Sequence, residues 1–137
     1  MLRPYANNQY NRTFLMPDII EIDNLRLRCM IGFSAHELKD KQDVVISLRI
    51  QADMRMAERT DNPDDVFNYR TLTKAIIAHV EGSHYKLVEA LAGAIAKICV
   101  VDHNAPWVQV RVHKPNALRF SDSVGVVVER TREDYAT

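Results

Sequence analysis

The sequence predicts an α+β domain with a four-stranded antiparallel sheet and two helices on one face, and three observations carry that prediction. Four runs alternate apolar and polar residues, two intervening runs repeat apolar residues every third or fourth position, and breakers separate them. Their order is strand, strand, helix, helix, strand, strand.

The first strand is expected over Asp18 to Ile31, where Leu25, Leu27, Cys29 and Ile31 alternate with Arg26, Arg28 and Met30. A period of two puts one side-chain set on the core and the other in solvent. Gly32 ends the run, and a polar connection from Ser34 to Gln42 leads into a second strand. There Val44, Ile46, Leu48, Ile50 and Ala52 face one way and Ser47, Arg49, Gln51 and Asp53 the other, so the pair reads as a hairpin. The polar segment from Arg59 to Asp65 contains Pro63 and is no central strand. Asn68 is a plausible helix cap before Leu72, Ile76 and Val80. Gly82-Ser83 breaks that helix, and a second carries Leu87, Leu91, Ile95 and Ile98 on one face. Asn104-Ala105-Pro106 stops it, because proline lacks the N–H that would extend the ladder. Val108, Val110 and Val112 form the third strand's inner face, and Val124, Val126 and Val128 the fourth's.

Such a sheet has two edges with unpaired N–H and C=O groups, and joining copies edge to edge satisfies them. A symmetric oligomer is therefore expected. With 137 residues the chain has room for one domain, assigned to 17–132, between an arm at 1–16 rich in Asn, Tyr and Arg and a tail at 133–137. A formal net charge of zero argues against dedicated nucleic-acid or membrane binding, which needs a basic excess. Neither a signal peptide nor a long apolar run is seen, so a cytoplasmic location with reduced thiols is expected. Cys29 and Cys99 lie in apolar segments and read as small buried hydrophobes.

Few residues advertise chemistry. Glu89, early in the second helix, is either a solvated carboxylate or an acceptor of paired hydrogen bonds from a planar N–H edge. Lys114, at the end of the third strand, is either solvated or an acid–base group. Tyr69 at the first helix start is either packing or a proton relay, and Glu37 would be unremarked in nearly any loop. The five histidines are scattered singly, which leaves a metal site without its usual spacing. There is no phosphate loop or nucleophile elbow.

Five segments together resemble the dihydroneopterin aldolase family. They are Leu25-Arg26-Leu27-Arg28-Cys29-Met30-Ile31-Gly32, Glu37 with Gln42-Asp43-Val44-Val45-Ile46, Asn68-Tyr69-Arg70-Thr71-Leu72-Thr73-Lys74, Leu87-Val88-Glu89-Ala90-Leu91-Ala92 and Lys114-Pro115-Asn116-Ala117-Leu118-Arg119-Phe120. The resemblance implies the tunnelling fold, in which sheets join edge to edge into a barrel of four subunits and two rings commonly stack as an octamer. It implies a reduced pterin as substrate, sites between subunits, and no metal or cofactor. In this resemblance Glu89 anchors the pterin with the backbone at Val88, Lys114 is the catalytic lysine, Tyr69 comes from the adjacent subunit and Glu37 closes the site. Leu25 to Arg28, Asn68 to Thr71 and Ala117 to Phe120 with Asp122-Ser123-Val124 resemble the branch that epimerises dihydroneopterin triphosphate at C2′. In that branch Arg70 and Arg119 would hold the triphosphate, or else are two solvated arginines. The ending Ser123 to Arg130 resembles ordinary aldolases, which cleave the substrate to 6-hydroxymethyl-7,8-dihydropterin in folate synthesis. Folate supply and a monapterin cofactor are both open as the pathway served. Intact Glu37, Tyr69 and Lys114 argue against a non-catalytic pterin-binding oligomer.

Overall fold

The computed structural model describes residues 17–136, so the expected arm at 1–16 lies outside the described residues. Strand β1 (Ile19–Ile31) and strand β2 (Gln42–Gln51) form the expected hairpin, with Leu27 opposite Val44 and Leu25 opposite Ile46. The ladder shifts register between Ile22 and Leu25. Asn24 adopts a left-handed φ of 56° there, and its N–H donates to Ser47 Oγ at 3.0 Å. Asparagine tolerates that conformation better than other side chains, and the hydroxyl replaces the lost ladder bond. Strand β4 (Val108–Pro115) pairs antiparallel with β2, and strand β5 (Ser123–Arg130) with β4.

The sheet has a fifth member that alternation did not reveal. Strand β3 (His84–Tyr85) lies parallel to the end of β1, giving the order β3-β1-β2-β4-β5. Two residues are too few to display a period. A second addition is helix α1 (Arg55–Thr60), which buries none of its residues and so leaves no apolar stripe in the sequence. It leads into a 3₁₀ turn at Pro63–Asp65, where the Asn62 side chain accepts from the Asp64 N–H.

Helix α2 (Tyr69–Glu81) begins as expected: Asn68 Oδ1 accepts the Thr71 N–H at 3.0 Å, and Leu72, Ile76 and Val80 are fully buried. Helix α3 (Val88–Lys97) buries Leu91, Ala92, Ile95 and Ala96, then widens into a π-helical turn at Ile98–Asp102. Leu87 does not share that face. It is the extended residue ahead of the helix and is 48% exposed. Residues in helical conformation alone obey the helical period, so the periodic reading extended one position too far.

Helix α2 packs on β1 and α3 on β4 and β5, so both cover one face of the sheet. The core between them holds Val44, Ile46, Leu48, Ile50, Val108, Val110 and Val112, as the alternation required. On β5, Val126 and Val128 pack against that core while Val124 stays exposed. After β5 a 3₁₀ turn at Arg132–Tyr135 returns to α3, where the Tyr135 hydroxyl donates to the Gly93 carbonyl at 2.9 Å. Cys29 and Cys99 are buried free thiols, and burial pushes Cys99 up to about 12.

Candidate active site

The site begins where β1 ends. Gly32 has φ 118°, and its N–H donates to the Tyr85 carbonyl of β3 at 3.0 Å. A Cβ at this position would lie 2.3 Å from the carboxyl carbon of Glu37. Glycine is thus required twice, for the backbone conformation and for the space the carboxylate occupies. Gln42 at the start of β2 donates from Nε2 to the Ile31 carbonyl at 2.5 Å, tying down the other end of the connection.

Glu37 is fixed by its own loop. Its Oε1 accepts from Phe33 N–H and Ser34 N–H, both at 3.3 Å, and from Ser34 Oγ at 3.1 Å. The Ser34 hydroxyl in turn accepts the Glu37 N–H at 3.2 Å. This is the reciprocal Ser-x-x-Glu arrangement familiar from helix starts, here used to aim a carboxylate. The other oxygen, Oε2, meets Lys114 Nζ at 2.5 Å across 77 residues of sequence. The side chains of Lys114 and Glu37 are only 12% and 23% exposed. The Lys114 hydrogen bond holds the Glu37 carboxyl at about 2, against partial burial and with help from Ser34. Beneath them the buried Cys29 thiol is raised by burial, opposed by a hydrogen bond with Ser83 and the charge of Lys114. Cys29 and Ser83 are therefore neighbours.

Val88 and Glu89 start α3 just after β3, whose Tyr85 carbonyl holds Gly32. Glu89 is exposed in the first turn and Val88 half-buried against the core. The first N–H groups of any helix lack intrahelical partners. Through the Gly32–Tyr85 hydrogen bond, the segment leading into this helix start is tied to the connection that carries Glu37.

Other expected residues are not brought together. Tyr69 and Arg70 start α2, while Ser83, beside Cys29, follows its end. A helix of 13 residues spans roughly 18 Å between its first and last Cα atoms. Tyr69, 44% exposed, therefore lies at the opposite end of α2 from Ser83 and Cys29. Arg119 sits in the loop after Lys114, its guanidinium 5.1 Å from the ring centroid of Phe120, which is 98% exposed. Residue chemistry had given no part to Gly32, Ser34, Gln42 or Ser83. The one local signal for them was the Ser34-x-x-Glu37 spacing. Among the described residues no group of three His, Cys, Asp or Glu side chains is placed to hold a metal, and no helix is long and apolar enough to cross a membrane.

Comparison with known proteins finds relatives that match over most of the chain. The dihydroneopterin aldolase family profile matches residues 20–129. Dihydroneopterin triphosphate 2′-epimerase of Escherichia coli (strain K12) is 38% identical over 114 residues, covering 83% of this chain and 95% of that protein. Dihydroneopterin aldolase of the same strain is 32% identical over 113 residues, covering 82% of this chain and 93% of that one. The crystal structure of the E. coli aldolase in complex with neopterin superposes with a TM-score of 0.79 at 32% identity, over 82% of this chain and 98% of that chain. A Vibrio cholerae structure assigned to the same enzyme gives 0.84 at 31% identity, over 86% and 100%. With its sheet order, its helices on one face and a family match over most of its length, this chain belongs to the dihydroneopterin aldolase family of enzymes, in the tunnelling fold.

Proposed function

We propose that this enzyme carries out retro-aldol and aldol chemistry at the C1′–C2′ bond of 7,8-dihydroneopterin or its triphosphate, mainly inverting C2′ and cleaving as a companion activity. The observation that carries this reading is the Glu37–Lys114 pair at 2.5 Å, assembled from 77 residues apart and partly buried. The greater identity to the epimerase, 38% against 32% to the aldolase, supports the order of the two activities.

In this reading Glu89 accepts two hydrogen bonds from the pterin's exocyclic amine and ring N–H, and the Val88 backbone adds contacts. Lys114, directly or through water, delivers a proton to N5 and, through water, takes up the one the 2′-hydroxyl loses. The C1′–C2′ electron pair flows into C1′=C6 as the N5=C6 bond opens, and C2′ departs as the carbonyl carbon of glycolaldehyde or its phosphorylated form. Glu37 orients Lys114 and closes the site beside the substrate side chain. Two fates follow. Rotation of the aldehyde and re-addition to its other face gives the C2′ epimer. Protonation at C1′ with loss of the N5 proton gives 6-hydroxymethyl-7,8-dihydropterin. No metal or organic cofactor enters either path.

Tyr69 moves the proton that quenches the enamine or permits recombination in this scheme, and its place at the start of α2 supports its serving a neighbouring copy. The working unit is then a ring of four edge-joined sheets or a stacked octamer, in the cytoplasm. Arg70 and Arg119 are the arginines offered to a phosphorylated tail.

Chromatography that separates the C2′ epimers from the hydroxymethyl product tests the reaction. Mainly epimer, formed faster from the triphosphate, is expected. Mainly 6-hydroxymethyl-7,8-dihydropterin would make the chain a folate-pathway aldolase, and no conversion would overturn the proposal. Mixing inactive Tyr69→Phe and Lys114→Ala subunits tests the sharing: activity should return in mixed rings, and would not if each site used one chain.

A further inference from the structure

The sheet face away from the helices carries a cavity of about 230 Å³, lined by Arg26, Ser47, Arg111, His113, Asp122 and Ser123 among others. These residues come from four strands and the loop before β5. Arg26 pairs with Val45, Val45 with His113, and Ser47 with Arg111 across the ladders. His113 alternates with the buried Val112 and with Lys114, so the sheet itself separates this cavity from the Glu37–Lys114 pair.

One wall is built with care. His113 pairs with Gly125 of β5, where a Cβ would come within 2.7 Å of the imidazole, so the ring lies over bare backbone. Arg111 Nε is 2.7 Å from His113 Nε2, and His113 Nδ1 is 2.9 Å from Ser123 Oγ. Arginine can only donate, so Nε2 accepts and the ring proton sits on Nδ1, facing Ser123. Burial and the Arg111 charge both favour that neutral ring. Nε alone is committed to this contact, which leaves the terminal nitrogens of Arg111 for another acceptor.

The charges on this face are unevenly satisfied. Arg28 pairs with Asp43 and Arg49 with Glu21, each at 3.4 Å. Among the described residues, no carboxylate comes within salt-bridge distance of Arg26 or Arg111, although both line the cavity with Asp122 as its one acid. Two guanidinium groups against one carboxylate leave a net positive pocket, with hydroxyls of Ser47 and Ser123 as further donors. Its volume is several times the roughly 30 Å³ share of a water and below the usual range for drug-sized ligands. That suits a small anion with several acceptor oxygens.

We infer that this cavity is an oxyanion site, selective for phosphate groups, across the sheet from the reaction centre. The phosphate belongs either to a free phosphate compound or to the tail of a phosphorylated substrate reaching around the sheet edge.

Isothermal titration of the full chain with inorganic tripolyphosphate tests the site without any turnover, so its result is independent of the proposed reaction. Wild type should bind, and Arg26→Gln with Arg111→Gln should weaken binding by about tenfold or more, since each lost charged hydrogen bond is worth about that much. Both arginines are exposed, so the double variant should keep the wild-type circular dichroism spectrum and its affinity for unphosphorylated neopterin. Arg111→Lys should fall between, keeping charge but losing the planar fork. Absence of tripolyphosphate binding, or equal binding by the double variant, would overturn the inference. So would loss of all binding on substituting Arg70 and Arg119 alone. Tripolyphosphate bound equally with and without saturating neopterin assigns the site to a free phosphate. A triphosphate-over-free preference for neopterin that disappears in the double variant assigns it to the substrate tail.

Discussion

Glu37 and Asp53 make an instructive pair. Each carboxylate is held at about 2 by a basic neighbour, Lys114 at 2.5 Å and Arg55 at 2.7 Å. Their contexts differ in every other way. Asp53 and Arg55 are two residues apart, both exposed, and contact is imposed by chain continuity. Glu37 and Lys114 are brought together from 77 residues apart, with one carboxylate oxygen reserved for the lysine and the other held by the loop. A depressed carboxyl therefore marks no site by itself. What marks one is a pair that the whole fold must assemble and that solvent does not screen.

The largest effect should come from breaking the assembled pair. Lys114→Ala should reduce kcat with dihydroneopterin by roughly 10²–10⁴, the usual loss for a positioned acid–base group. Arg55→Ala should leave steady-state turnover unchanged. Comparable losses from both would erase the distinction drawn between the two pairs. Glu37→Gln should fall between, because Lys114 keeps its place in the strand but loses the oxygen that aims it.

Next in size is the loop that presents Glu37. Gly32→Ala puts a side chain at φ 118° and against the Glu37 carboxyl group. Strained backbone of this kind costs about 1–3 kcal/mol, readable from urea denaturation. The same variant should lose activity beyond its loss of stability, since the carboxylate must move. A stable variant with full turnover would show that Glu37 need not occupy this position.

These sites differ in how far the sequence exposes them. Val44 to Ile50 and Val108 to Val112 declared the core by alternation, because a half-buried sheet writes its period into the chain. Asn68 declared a helix start through its cap. β3 and α1 wrote nothing, one having two residues and the other no buried face. Glu37, Lys114 and Glu89 take their roles from the resemblance, since a loop carboxylate, a strand-end lysine and a helix-start carboxylate are each as common on a solvated surface. The closeness of Glu37 and Lys114 is a property of the strand ladder and of the Gly32 connection. Tyr69 shows the remaining limit, because the proposed reaction pairs it with a second copy of the chain, and a partner on another copy leaves no pattern in one sequence.

The smallest effect is the pH dependence of stability, and it separates the two carboxylates most cleanly. A carboxyl whose pKa is lower in the folded than in the unfolded chain stabilises the fold above the unfolded value and loses that contribution as pH falls through the folded one. For Glu37 the window runs from the ordinary 4.5 down to about 2. The Tm difference between wild type and Glu37→Gln should therefore be constant near neutrality and shrink across that window. Asp53 has a similar window, from 3.8 to about 2, but its pair stands in open solvent and is screened by salt. Asp53→Asn should give a nearly flat Tm difference, vanishing at high ionic strength, while the Glu37 difference persists because its partner is shielded. Equal pH and salt responses in the two variants would mean that burial confers no special strength on the Glu37–Lys114 contact. The lysine would then be as free as a surface residue, and the acid–base role assigned to it would lose its structural basis.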